Sequence, residues 1–245
     1  MTGNMLSSLA KWFGRQPGLS RPKEADYSSA ELSARDVFSD VYRRKAWFSP
    51  TADRELYSGP GSNAEFAMPY AEAVRRFAEE QGVKTIVDLG CGDFRVGQFL
   101  AAPPFHYVGV DVVDAVVDHN LRQYQKDGVR FVRRDIGTDE LPDGDLCTVR
   151  EVFQHLSNHQ IAAALKQMRK YRWCLISDRE PGPAAAENPN VDRPQGAESR
   201  TDLLSALRYD RPPFDQQHVE LFLEVPAGTR MLPESTIKTF LIHNG

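Results

Sequence analysis

Cysteine is scarce in this chain: Cys91, Cys147 and Cys174 are the only three in 245 residues. No two of them have zinc-finger spacing, and an odd count does not build a disulfide framework. Each lies in or beside a stretch that reads as a core strand, so free buried thiols in a reducing cytoplasm are expected. Long apolar runs are missing too. Nothing approaches the ~20 residues of a membrane span, and the start of the chain shows no signal-peptide core or cleavage pattern. A cytoplasmic location without stable membrane insertion is the expectation. Nor is there an excess of positive charge. Lys and Arg number 30 against 34 Asp and Glu, a net charge of −4, which argues against a broad nucleic-acid footprint. The basic pairs Arg43-Arg44, Arg75-Arg76 and Arg133-Arg134 read as solvated faces or strand ends. No internal repeat is visible, and the length suits one α/β domain with additions.

What is present is concentrated in Ile86-Val87-Asp88-Leu89-Gly90-Cys91-Gly92-Asp93. A β-branched run ends in an acid and enters a turn with two glycines one residue apart. That pattern predicts a buried parallel strand, a tight loop and a helix, which together make a nucleotide-binding corner. His106 to Asp111 is a second strand ending in an acid, at about the ~20-residue spacing of a βαβ unit whose second acid meets a ribose. Val129 to Ile136 reads as a third strand and Asp145 to Val149 as a fourth. A dinucleotide fingerprint is the nearest rival, but it requires a third glycine where this chain has Arg95. An arginine there would obstruct helix–strand packing and the approach of a pyrophosphate.

On DLGCGD at Asp88–Asp93, VGVD at Val108–Asp111, RRDI at Arg133–Ile136 and REVFQHL at Arg150–Leu156, the chain resembles the class I S-adenosylmethionine-dependent methyltransferases. The resemblance covers roughly residues 70 to 180 well. It implies an α/β, Rossmann-like, seven-stranded, mostly parallel sheet with an antiparallel last strand, helices on both faces and an N-terminal helical extension. It also implies S-adenosyl-L-methionine as cofactor. Carried over by position, Asp88, Gly90, Cys91 and Gly92 form or orient the loop around the cofactor. Asp111 meets the ribose, Val112 beside it belongs to the cofactor site, Asp135 and the Ile136 N–H meet the adenine, and Arg150 lies near the methyl donor. The proline-proline-aromatic tetrapeptide of many base-amino methyltransferases is replaced by Val149-Arg150-Glu151-Val152, which argues against a nucleic-acid base as acceptor.

Around this core the organisation reads as follows. Residues 1–30 form an appendage, with Met5, Leu6, Leu9, Trp12 and Phe13 on one face of a possible docking helix. Residues 31–68 form a helical and loop segment covering the active site, with Val37, Phe38 and Val41 at helical spacing. Residues 69–245 form the methyltransferase domain. Pro69 is placed in the first turn of a helix running to about Gln81. Ser157 and Gln160 match a capping box, and Trp173–Asp178 is a fifth strand. His218–Val225 and Thr236–Ile242 form a closing antiparallel hairpin. The Pro181–Pro213 stretch, residues 181–213, reads as a long acceptor-side loop.

Methyl transfer is an in-line displacement in which the protein mainly aligns the acceptor and excludes water. A hydroxyl acceptor also benefits from a base, and His155 is the first candidate, with Glu151 the second. Asp178, Tyr57, Ser62, Arg193 and Arg200 are candidate acceptor-side residues. Glu151, His155 and His159 are four apart, but the cap at Ser157 breaks a continuous helix between the histidines, so no metal site is expected. The leading expectation is O-methylation of a small-molecule or sugar-containing (glycan) acceptor. The alternatives are N-methylation of a small amine or protein side chain, and a methyltransferase-like binding subunit without catalysis.

Overall fold

The computed structural model describes residues 32–48 and 56–245. The expected appendage at 1–30, and Ser49-Pro50, lie outside the described residues. Seven strands form one sheet in the order β3-β2-β1-β4-β5-β7-β6: β1 Thr85–Leu89, β2 His106–Asp111, β3 Val129–Arg133, β4 Leu146–Arg150, β5 Trp173–Glu180, β6 Val219–Pro226 and β7 Thr236–His243. The pairs among β1 to β5 are parallel, and β7 runs antiparallel to both β5 and β6. The antiparallel β7 is the expected last strand, inserted between β5 and its hairpin partner.

Because strand side chains alternate between faces, the sheet divides the core in two. Val87, Leu89, Val108, Val110, Cys147 and Val149 face one side, packed by α1 (Ala34–Arg43) and α5 (Asn158–Met168). Ile86, Tyr107, Leu146 and Leu175 face the other, packed by α2 (Ala64–Glu80) and the short α3 (Gly97–Leu100). The remaining helix, α4 (Asp114–Tyr124), sends Val116 to the first cluster and Val117 to the second. Each fully buried Val, Leu or Ile contributes roughly 1.5–3 kcal/mol, so this double core defines the strand register.

Local signals explain the helix starts. Ser33 caps α1 by accepting from the Asp36 N–H, and Val37, Phe38 and Val41 are buried as their spacing predicts. In α5 the Ser157–Gln160 capping box is fully formed, with Ile161, Ala164, Leu165 and Met168 inward. The second helix departs from expectation. It starts at Ala64, so Pro69 lies inside it rather than in its first turn. Packing of Ala67, Tyr70, Ala71 and Val74 against the sheet outweighs the loss of one backbone donor.

Two further boundaries differ. The third strand stops at Arg133, because Asp135 turns back on itself and its Oδ1 accepts from the Gly137 N–H at 2.9 Å. The 181–213 stretch is not an open loop. It holds short 3-10 helices at Pro183–Glu187 and Arg200–Leu203. Its anchor is Arg200, only 1% exposed, which donates to Val191 O, Leu156 O and Asn158 Oδ1 at 2.7–2.8 Å.

Candidate functional site

The strand order reverses between β1 and β4, and ligands of open α/β sheets bind outside the carboxyl ends of strands at such a point. A cleft lies there, with about 1070 Å³ of space including its open mouth. The β1 loop supplies Gly90, Cys91, Gly92 and Asp93, and the end of β2 supplies Asp111, Val112 and Val113. Arg134, Asp135, Ile136 and Gly137 come from the turn after β3, and Arg150, Glu151, Val152 and His155 from β4 and the turn beyond it. The far wall is Ala34, Phe38, Tyr42, Trp47, Ser58 and Ser62, from α1 and the segment before α2.

The two glycines have a physical reason that the sequence does not reveal. Both have positive φ, +74° at Gly90 and +53° at Gly92. A Cβ at Gly90 would come 2.3 Å from a methyl of Val152, and one at Gly92 2.3 Å from Ser58 Oγ. They therefore admit the chain's own cleft walls as well as a strained turn. Ser58 pins the segment before α2 onto this loop. Its Oγ accepts from the Asp93 N–H and shares a hydrogen bond with Tyr42 Oη, both at 2.8 Å.

At the end of β2, the Asp111 carboxylate accepts from the Gly92 N–H and the Val113 N–H, both at 3.0 Å. Burial nevertheless pushes its pKa up to about 6, with the backbone donors opposing that rise. After β4, Glu151 has φ +54°, a conformation rare for a non-glycine residue. Its carboxylate lies between Arg150 Nη1 and Arg179 Nε, each at 3.3 Å. Gly61 lies so close that a Cβ there would overlap the Glu151 carboxylate.

His155 stands against Trp47, with ring centroids 5.0 Å apart. Its Nδ1 lies 2.9 Å from Glu198 O and its Nε2 3.3 Å from Gln154 Nε2. Desolvation lowers its pKa, which favours the neutral ring. The Trp47 indole N–H donates to Ala197 O at 2.8 Å. Residues 197–198 thus brace both rings.

Of the residues singled out in the sequence, Gly90, Cys91, Gly92, Asp111, Val112, Asp135, Ile136, Arg150, Glu151, His155 and Ser62 line the cleft. The others do not. Asp88 lies further back along the strands, opposite Gly109 and Thr148, where it accepts from Tyr107 Oη at 2.6 Å and Thr148 Oγ1 at 2.8 Å. It cross-links β1, β2 and β4. Asp178 is buried beneath the β4 turn, accepting from the Gln154 N–H and from Tyr209 Oη. Tyr57 donates to Asn63 Oδ1 and packs under the Arg95 guanidinium. Arg193 pairs with Glu198, and Arg200 is consumed by the anchor described above. These five side chains are engaged elsewhere in the fold and do not line the cleft. His159 is exposed on α5, away from the cleft. Among the described residues no group of three or more His, Cys, Asp or Glu could hold a metal ion. The sequence reading missed Tyr42, Trp47 and Ser58. The motif Tyr57-Ser58-Gly59-Pro60-Gly61 was a usable signal, since two glycines just after a serine mark close packing.

Residues 86–171 match a family model described as a methyltransferase domain. Over these residues the chain carries a methyltransferase domain. Its fold is shared with solved methyltransferases of low identity. An N-methyltransferase from Bradyrhizobium japonicum WM9, solved with S-adenosylhomocysteine, is 15% identical at TM-score 0.55, over 84% of this chain and 98% of that one. Magnesium protoporphyrin IX methyltransferase from Synechocystis PCC 6803, also with S-adenosylhomocysteine, is 13% identical at TM-score 0.55, over 85% of this chain and 97% of that one. Human N-acetylserotonin methyltransferase, solved with S-adenosylmethionine, matches 98% of this chain at 13% identity and TM-score 0.49, and the chain spans 66% of its length. No curated protein matches the sequence. No described helix of the methyltransferase is long and apolar enough to cross a membrane.

The residues of the cleft fit the methyl donor. Asp111 is a buried carboxylate whose oxygens each take one backbone donor and keep further lone pairs for hydroxyls. Val112, Ile136, Val152 and Leu156 give apolar walls for a flat base, and Asp93 and Glu151 place carboxyl groups at the glycine loop and the β4 turn.

Proposed function

We propose that this methyltransferase transfers the methyl group to a hydroxyl oxygen of a small or sugar-containing acceptor, with His155 as the base. The reading rests on one observation above all: an imidazole, its Nδ1 engaged with Glu198 O, lines the cleft beside Trp47. When bound, S-adenosylmethionine supplies an electrophilic methyl on a sulfonium sulfur. Asp111 accepts hydrogen bonds from the ribose hydroxyls, and Asp135 and the Ile136 N–H hold the adenine edge. Gly90, Cys91 and Gly92 form the floor, and Val112 packs on the base. Arg150 and Glu151 stand at the reacting end. Glu151 offsets positive charge there, and its pairing with two arginines holds it in place.

On the acceptor side, Trp47 and Tyr42 meet edge to face with centroids 5.5 Å apart. They form an apolar wall against which a ring can lie while water is excluded. Ser62 adds a hydroxyl whose own proton is committed to Gly59 O at 2.6 Å, which leaves its lone pairs for an acceptor hydroxyl. As the oxygen attacks, its proton passes to His155 Nε2. The described part of residues 31–68 acts as the cover of this site through Ala34, Phe38, Tyr42, Trp47, Ser58 and Ser62. The free, buried Cys91, Cys147 and Cys174 suit a reducing cytoplasm.

Calorimetric titration with S-adenosylmethionine and S-adenosylhomocysteine, followed by an acceptor screen, tests the reading. Saturable binding of both is expected, with NAD inert. With an acceptor in hand, His155→Ala should lower kcat by about 10²–10⁴-fold, the usual share of a general base. Wild-type turnover in that variant would remove the base assignment.

A further inference from the structure

We infer that Gln154 is a positioning residue that sets the tautomer and charge of His155, which rests on the reading of His155 as base. The argument is one of donors and acceptors. The Arg179 backbone N–H donates to Gln154 Oε1 at 3.1 Å. A backbone N–H can only donate, so the amide oxygen faces Arg179 and the amide NH₂ faces the other way. That NH₂ lies 3.3 Å from His155 Nε2. The imidazole must therefore accept there, with Nε2 carrying the lone pair. At the other end of the ring, Glu198 O can only accept, so Nδ1 carries the hydrogen. Two independent partners demand the same Nδ1–H tautomer.

The arrangement also disfavours the charged ring. An imidazolium would point an Nε2–H at the Gln154 NH₂, donor against donor. Gln154 is itself held from behind: its backbone N–H donates to buried Asp178 Oδ1 at 2.9 Å, and Asp178 takes the Tyr209 hydroxyl on its second oxygen. The amide is 6% exposed and does not line the cleft, so it reaches the reaction only through the imidazole. The other groups that act on the ring are Arg193, which opposes its protonation, and Glu151 and Asp202, which favour it. Trp47 covers one side and adds no charge. Gln154 thus keeps His155 ready to receive a proton and gives way when an acceptor hydroxyl takes its place at Nε2.

Long-range proton–nitrogen correlation spectra of the labelled full chain test this without any acceptor. Wild type should show a protonated Nδ1 and a bare Nε2, titrating below the ordinary histidine value. Gln154→Glu keeps an oxygen for the Arg179 N–H and offers a carboxylate to Nε2. It should switch the ring to Nε2–H and raise its pKa by about 1–3 units. Gln154→Leu removes the donor without adding charge and should give a smaller rise. An Nε2–H tautomer in wild type, or an unchanged titration in both variants, overturns the inference. Thermal melts report whether each variant folds, and the wild-type tautomer alone decides the matter if Gln154→Glu does not. If His155→Ala keeps its turnover while the spectra agree, the base reading fails and the positioning role stands.

Discussion

Acidification should loosen the methyl donor in a way that Asp111 dictates. This carboxylate is buried at the end of β2, and burial pushes its pKa up to about 6 from 3.8. The sign follows from comparing folded and unfolded chains. Between about pH 4 and pH 6 the folded protein holds the proton and the unfolded chain does not, so this group's contribution to stability falls as pH rises through that window, by about 3 kcal/mol in total. The ionised, under-solvated carboxylate present above pH 6 is what two ribose hydroxyls can satisfy. If only the ionised form binds, affinity is full at pH 8, halved near pH 6, and about tenfold weaker at pH 5, a loss of about 1.4 kcal/mol. Titration calorimetry with S-adenosylhomocysteine at pH 5, 6, 7 and 8 reads this directly, and the thermal shift on binding should grow with pH in parallel. A Kd that stays flat, or that strengthens below pH 6, would show that Asp111 does not hold the ribose. Asp111→Asn should bind weakly at every pH. Its amide NH₂ must confront either the Gly92 or the Val113 N–H, and a buried donor left without an acceptor costs about 1–3 kcal/mol.

Two other perturbations follow from the same geometry. Asp178 is buried with its pKa pushed up to about 7, mainly by desolvation, so its ionisation opposes folding as pH rises from about 4 to 7. Asp178→Asn retains an acceptor for the Gln154 N–H and should stabilise the protein at pH 8 by up to about 4 kcal/mol. Near pH 5 it should change little, so a Tm difference that does not grow with pH would contradict this. Gly92→Ala should destabilise by about 1–2 kcal/mol for its left-handed backbone alone and should dislodge Ser58. Adding Ser58→Gly should restore part of the loss in chemical denaturation if the contact with Ser58 is the cause.

The fold was legible because the strands announce themselves. Each central strand is a β-branched or aromatic run ending near an acid, glycine or arginine, and β1 and β2 appear within a residue of their expected limits. The capping box at Ser157 and the apolar spacing of α1 are local features, and they held. Pro69 misled because its helix owes its start to packing upstream, where the local signal is weak. The site was legible in its loops. Gly90, Gly92, Asp111, Asp135, Arg150, Glu151 and His155 converge on one cleft because parallel strands deliver their carboxyl ends to the same edge. Asp88 stands outside the lining because it lies inside β1 rather than at its end, where Tyr107 and Thr148 take up its carboxylate.

The sequence by itself determined the order of strands and helices, the glycine turns and the acids at strand ends. Those depend on residue type and spacing along a few neighbours. Only the tertiary structure decided which acid faces the cleft and which braces the sheet, that Trp47 and Tyr42 wall the cleft, and that Arg200 is an anchor within its own segment. It also paired Gln154 with His155 in opposite directions along one hydrogen-bonded chain. Those outcomes depend on which backbone groups happen to face a side chain across the fold, and hydrogen-bond direction is a property of that meeting rather than of either residue alone.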